Sequence, residues 1–140
     1  MKNTTQLLQW LLVVLYLVGV ITTSRSTEAK EVVTIVNALG PDLVLTVHCK
    51  SKDDDLGIHN IPYKDGNYSF TFKPNIWGTT QYWCNFLWIG GNHYFDIYID
   101  MRDYPICNNV CSWQIYPNGP CLYNRSTQKF DLCHGWNPPK

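Results

Sequence analysis

The sequence predicts an all-β fold, a small disulfide-bonded β-sandwich of about eight antiparallel strands. Three observations predict it. Short runs of β-branched and aromatic residues alternate with polar ones, turn residues punctuate those runs, and six cysteines all lie beyond residue 48. Alternation of period two is the signature of a strand with one buried face. An even number of cysteines in a short exported chain reads as a disulfide framework. Fifteen pairings of Cys49, Cys84, Cys107, Cys111, Cys121 and Cys133 are formally open. No internal repeat and no convincing helical period is visible.

The N-terminus reads as a secretory signal. Met1-Lys2 is a short basic start, Leu7 to Ile21 is almost continuously apolar, and small and polar residues come next from Thr22. That order matches the basic region, apolar region and cleavage region of a signal peptide. The apolar run is shorter than the roughly 20 residues a spanning helix needs. A signal over residues 1–26 is expected, with cleavage somewhere between 24 and 29. Residues 27–140 then form one domain, a size that buries a modest core. The expected location is extracellular, with no stable membrane insertion.

Glu31 to Asn37 is a β-branched first strand, and Leu39-Gly40-Pro41-Asp42 turns it toward a second strand from Leu43 to Lys50. A hairpin is the simplest connection between them. Gly57 to Tyr63 is a short third strand that Pro62 places at an edge. After the Asp65-Gly66 turn, Tyr68, Phe70 and Phe72 mark one face of a fourth strand that Pro74 stops. Gln81 to Ile89 is the most hydrophobic strand and is expected to be central, with both faces covered. Gly90-Gly91-Asn92 tips a hairpin into His93 to Met101. Phe95, Ile97 and Ile99 point one way there, and Tyr94, Asp96, Tyr98 and Asp100 point the other, as a polar aromatic face. Cys107 to Tyr116 forms the next strand. Two short segments lie around Leu122-Tyr123 and Phe130-Leu132, and a frayed Pro-rich tail is expected from Trp136.

Charge and motif content narrow the function. Eleven basic and eleven acidic residues balance, so no field favours nucleic acid, and none is expected as a partner. Asn67-Tyr68-Ser69 and Asn124-Arg125-Ser126 are glycosylation acceptors in an exported chain, at Asn67 and Asn124. Asp53-Asp54-Asp55 supplies hard oxygen ligands, yet lacks the spaced pattern of a calcium loop; such a run more often caps a turn. Cys107-x-x-x-Cys111 with Cys121 and His134 offers zinc-ligand types, against which the oxidising compartment argues. No metal or other cofactor is expected. His48, His59, His93 and His134 supply the residue type of a ribonuclease acid–base pair. Neither a nucleophile elbow nor a zinc-protease helix is present, so the chain is expected not to be an enzyme. Trp77 and Trp136, in loop and tail, are the better candidates for stacking on sugars, since Trp83, Trp88 and Trp113 sit where core packing explains them.

Four stretches, in this order, resemble the plant self-incompatibility S1 family, the S-protein homologues. They are His48-Cys49-Lys50-Ser51-Lys52-Asp53-Asp54-Asp55-Leu56-Gly57, Tyr68-Ser69-Phe70-Thr71-Phe72, Thr79 to Trp88, and Cys107-Asn108-Asn109-Val110-Cys111-Ser112-Trp113. The resemblance spans about Val32 to Ile115. It implies a small secreted β-sandwich without catalytic activity. It also implies a ligand for a cell-surface receptor, as the stigma proteins of poppy are for incompatible pollen. Cys49, Cys84, Cys107 and Cys111 sit where the family has its own cysteines. Cys121 and Cys133 depart from the minimal pattern and are expected to pair, stapling the C-terminal segments. The short uncharged Gly90-Gly91-Asn92 tip also departs from family ligands that carry charge there.

Recognition is expected on exposed loops held by the scaffold. The candidate partner-binding residues are Lys52, Asp53, Asp54 and Asp55, then Lys64 and Asp65, then Asn92 and His93, and lastly Arg102 and Asp103. The alternatives are a secreted carbohydrate-binding or defence protein and, after it, a small ribonuclease.

Overall fold

The computed structural model describes residues 3–23 and 29–139. A helix, α1 (Thr4–Thr23), precedes a two-sheet domain. Its side chains from Leu7 to Val18 are exposed. Among the described residues no helix is long and apolar enough to cross a membrane. The expected cleavage positions at Ser24 and Ser26 lie outside the described residues.

The two-sheet domain has nine strands among the described residues: β1 (Glu31–Asn37), β2 (Leu45–Lys50), β3 (Asp55–Ile61), β4 (Asn67–Phe72), β5 (Gln81–Trp88), β6 (Gly91–Ile99), β7 (Val110–Tyr116), β8 (Gly119–Asn124) and β9 (Lys129–Cys133). A helix, α2 (Asp100–Cys107), separates β6 from β7. One sheet runs β4-β1-β7-β8-β9 and the other β3-β2-β5-β6. Alternation decides which side chains meet between them. Val33 and Ile35 of β1 and Cys111, Trp113 and Ile115 of β7 face Leu45, Val47, Cys49, Cys84 and Phe86 of the second sheet. Aromatic rings lock the two layers together. Phe72 lies 4.6 Å from Tyr82 and 4.7 Å from Tyr98, and Phe95 lies 5.3 Å edge-on from Trp113. Such pairs add about 0.5–1.5 kcal/mol each beyond the area they bury. Three disulfides, Cys49–Cys84, Cys107–Cys111 and Cys121–Cys133, pair every cysteine.

The structure corrects several expectations. The sheets are not wholly antiparallel: β1 pairs parallel with β7, Val32 opposite Val110. Parallel neighbours need a long crossover, and here the whole of the second sheet, β4 and α2 supply it. Nor do β1 and β2 form a hairpin. The chain crosses between layers at Asn37, whose side chain donates to Leu43 O at 2.7 Å and Ile61 O at 2.9 Å and accepts from Leu39 N–H at 2.9 Å. Those bonds satisfy a buried amide and weld β1 to the β2–β3 pair. β5 is central in its sheet, yet only one of its faces is covered; Leu87 and, just past the strand, Ile89 are exposed.

The C-terminal half brings further corrections. Tyr82 pairs with Tyr98 but Cys84 pairs with Phe95, so β6 carries one extra residue in a bulge. The bulge resets the phase. Phe95, Ile97 and Tyr98 are all buried, so Tyr98 leaves the polar face the alternation assigned it. Residues 100–107 form α2 rather than the end of one strand, a loop and the start of the next. Asp100 and Asp103 lie in its first turn, where carboxylates suit the helix dipole. Asn108 closes it in the left-handed conformation. The tail from Trp136 is not frayed either. The Trp136 ring packs on Phe86 and Trp88, its Nε1–H donates to Pro117 O at 2.9 Å, and Asn137 bridges to Tyr94.

Candidate recognition surface

The strand pairings sort the four candidate loops into two ends of the sandwich. Lys50 opposite Trp83, and Gln81 opposite Ile99, bring the β2–β3 turn, the entry to β5 and the exit of β6 to one end. Glu31 opposite Phe72 adds the β4–β5 loop there. Leu45 opposite Ile61, and Trp88 opposite Gly91, define the other end. The Asp53 and Arg102 segments therefore share the α2 end, while Lys64, Asp65, Asn92 and His93 occupy the opposite one.

At the α2 end the acidic turn is built by its own side chains. Ser51 Oγ accepts from Asp54 N–H at 3.1 Å, and Ser51 N–H donates to Asp54 O at 2.8 Å. Asp55 turns back into β3, with Oδ1 accepting from Gly57 N–H at 2.9 Å and from His48 Nε2 at 2.6 Å. Gly57, at φ +78°, takes the left-handed conformation the turn requires. The Gly57 amide and then the His48 contact hold the Asp55 carboxyl below its ordinary pKa. Asp55 thus shapes the loop, whereas Asp53 and Asp54 are exposed on it, Asp54 Oδ2 accepting from Tyr82 O–H at 3.5 Å.

The β4–β5 loop is fastened in the same manner. Asn75 Oδ1 accepts from the amides of Trp77 and Thr79, both at 3.1 Å, and Asn75 N–H donates to Thr80 Oγ1 at 2.8 Å. The fastened turn presents Ile76 at 71% and Trp77 at 80% exposure. Asp100 N–H donates to Thr80 O at 3.1 Å, which seats α2 beside this loop. Met101 and Tyr104 of α2 are exposed as well. Ile76, Met101 and Tyr104 were missed as candidates, although a Trp in a loop between Pro74 and Gly78 was visible.

Arg102 and Asp103, expected on an exposed loop, are structural. Asp103 is fully buried, accepts from Ile99 N–H at 2.8 Å and pairs with Arg102 at 2.7 Å. The guanidinium also donates to Asp96 O and covers the rings of Phe95 and Trp113 at 5.1 and 5.3 Å. At the opposite end Lys64 takes a positive φ in an exposed turn. Asn92 Oδ1 accepts from Asn85 Nδ2 at 2.7 Å, and the His93 ring stacks on Trp136 at 4.8 Å.

The four histidines are dispersed. His48 engages Asp55, His59 stacks on Tyr68 at 3.9 Å, His93 meets Trp136, and His134 lies beside Phe95 and Trp113. Burial, and then the Arg102 charge, hold His134 below its ordinary pKa. Asn67 is exposed at the start of β4, and Asn124 ends β8 with Oδ1 accepting from Ser126 N–H at 3.0 Å.

The family described as plant self-incompatibility protein S1 matches residues 32–136. S-protein homolog 2 of Arabidopsis thaliana is 44% identical over 83% of this chain and 74% of its own length. S-protein homolog 29 of the same plant is 35% identical over 98% of this chain and the whole of its own. A solved structure of self-incompatibility protein homologues, described as a widespread family of small, highly stable, secreted proteins from plants, shares the fold. It superposes with a TM-score of 0.57 at 20% identity, covering 78% of this chain and 96% of that one.

Proposed function

Because the chain belongs to the plant self-incompatibility protein S1 family, whose members are small secreted plant proteins, we propose that it is a non-catalytic ligand for a cell-surface receptor. The observation that carries this proposal is the α2 end. It combines a rigid acidic turn bearing Asp53 and Asp54 with large apolar side chains, Ile76, Trp77, Met101 and Tyr104, left in solvent. Exposed apolar groups on fastened loops beside charge match the make-up of a protein interface, in which Trp and Tyr are the usual energetic centres. Rigid loops also lose little entropy on docking.

The test is binding of the labelled, disulfide-intact secreted protein to plant cell membranes, pollen included, with unlabelled protein as competitor. Saturable, competable binding that reduction abolishes is expected. Trp77→Ala is expected to weaken it by about 30-fold, the effect of losing an interface centre, and Asp53→Ser with Asp54→Ser to weaken it further. Asp55 stays intact in these variants because it shapes the loop. No saturable binding in any tissue would overturn the proposal. Binding unchanged by all three substitutions would remove the α2 end from it.

A further inference from the structure

A second surface lies away from the loops, on the solvent face of β5 and β6. There Trp83 and Tyr94 wall a groove of about 310 Å³ together with Gln81, Asp96, Asn137 and Pro138. The bulge and the C-terminal segment create it. The extra residue in β6 falls opposite Trp83, and Asn137 docks along the edge of β6, its N–H donating to Tyr94 O at 2.9 Å. Asn137 Oδ1 accepts from Asp96 N–H at 2.8 Å, and Asn137 Nδ2 faces Asp96 Oδ2 at 3.4 Å. Arg102 Nη2 holds Asp96 O at 2.7 Å from the other side. Two of these contacts hold the Asp96 main chain and one reaches its carboxylate, so the residue is positioned before anything enters the groove.

We propose that this groove binds a neutral pyranose unit. A pyranose has one face of C–H groups and a rim of neighbouring hydroxyls, and the groove offers a partner for each. Tyr94, 42% exposed, presents aromatic surface for the apolar face, and Trp83 walls the groove beside it. The Asp96 carboxylate accepts from two neighbouring hydroxyls, a charge-assisted arrangement. The amides of Gln81 and Asn137 both donate and accept. Aromatic walls with a few converging polar groups, at this volume, are the make-up of a small-ligand site. The Arg102 charge is already paired with Asp103, so Asp96 leaves the groove negative and acidic sugars are repelled. The groove shares no residue with the proposed receptor surface, so either reading can fail alone.

The experiment is titration of the secreted protein with the methyl glycosides of glucose, galactose, mannose and xylose, and with galacturonic acid. Tryptophan fluorescence and backbone amide shifts are the readouts. A panel of neutral cell-wall oligosaccharides and a panel of N-glycans then identify which source carries the preferred unit. Saturable binding of at least one neutral glycoside in the millimolar range, without binding of galacturonic acid, is expected, with shifts at Tyr94, Asp96 and Asn137. Tyr94→Ala weakens binding about tenfold through lost stacking, and Tyr94→Phe retains most of it. Asp96→Asn, isosteric and able to keep the main-chain contacts, weakens it about tenfold or more. Overturning results are no saturable binding of any neutral saccharide, tighter binding of the acidic sugar, or equal affinity in folded Tyr94→Ala and Asp96→Asn.

Discussion

Glu31 opens β1 with its side chain 1% exposed, and neither carboxylate oxygen has a hydrogen-bond partner among the described residues. Burial, and then the nearby negative charge of Asp100, raise its pKa above the ordinary 4.5. Between the unfolded value and the raised folded value the native state holds the extra proton, so stability falls as pH rises through that window and levels off above it. Glu31→Gln removes the charge and keeps the shape. Near pH 4 both proteins are neutral there and should be equally stable, whereas at neutral pH the variant should gain. An uncompensated buried charge costs about 3–5 kcal/mol and a neutral unpaired polar group, which the glutamine remains, about 1–3 kcal/mol, so the substitution recovers roughly 1–3 kcal/mol. With an unfolding entropy near 2.1 cal/mol/K per residue over roughly 110 folded residues, each kcal/mol moves Tm by about 4 °C. A rise of about 4–13 °C at pH 7, vanishing toward pH 4, is expected from thermal unfolding monitored by circular dichroism. A Tm equal to or below that of the wild type at pH 7 would refute the reasoning, because it would mean that the carboxylate has a favourable partner. A gain that ignores pH would refute it too.

Two further outcomes bear on the scaffold. Asp103→Ala leaves the half-buried Arg102 guanidinium without its partner and should cost about 3–5 kcal/mol in urea unfolding; a loss below about 1 kcal/mol would deny α2 its anchor. Replacing both cysteines of a bridge by Ala should cost most at Cys49–Cys84, least at Cys107–Cys111 and an intermediate amount at Cys121–Cys133. Their sequence separations of 35, 4 and 12 give about 4, 2 and 3 kcal/mol of lost chain restriction. The reverse order of midpoints would contradict that account.

Much of the fold was legible where a strand has one wet face. Phe70 and Phe72 of β4, and Cys111, Trp113 and Ile115 of β7, alternate cleanly, and those residues are the buried ones. Partner choice was not legible, because the side chains of β1 do not reveal whether β2 or the distant β7 lies beside it. The bulge was hidden for a related reason: a single inserted residue reverses facing without disturbing composition, and Tyr98 reads as wet until Tyr82 is placed opposite it. α2 lacks an apolar stripe and contains Pro105; the contacts of Arg102 with Asp96 O and the Phe95 and Trp113 rings, which are invisible in the local sequence, hold it. Of the candidate site, Asp53 and Asp54 were visible as exposed charge. Their company with Trp77 and Met101 depends on which strand ends meet, and that is a property of topology.

The parallel pairing of β1 with β7 also sets a timetable. The two strands at the heart of the larger sheet are separated by nearly eighty positions, so β1 leaves the ribosome, and enters the export channel, long before its neighbour exists. The β2, β3, β5 and β6 sheet, by contrast, is made from antiparallel neighbours of modest separation. Contacts between distant segments form slowly, because the loop between them must close first. The smaller sheet is thus the part that can assemble while synthesis continues.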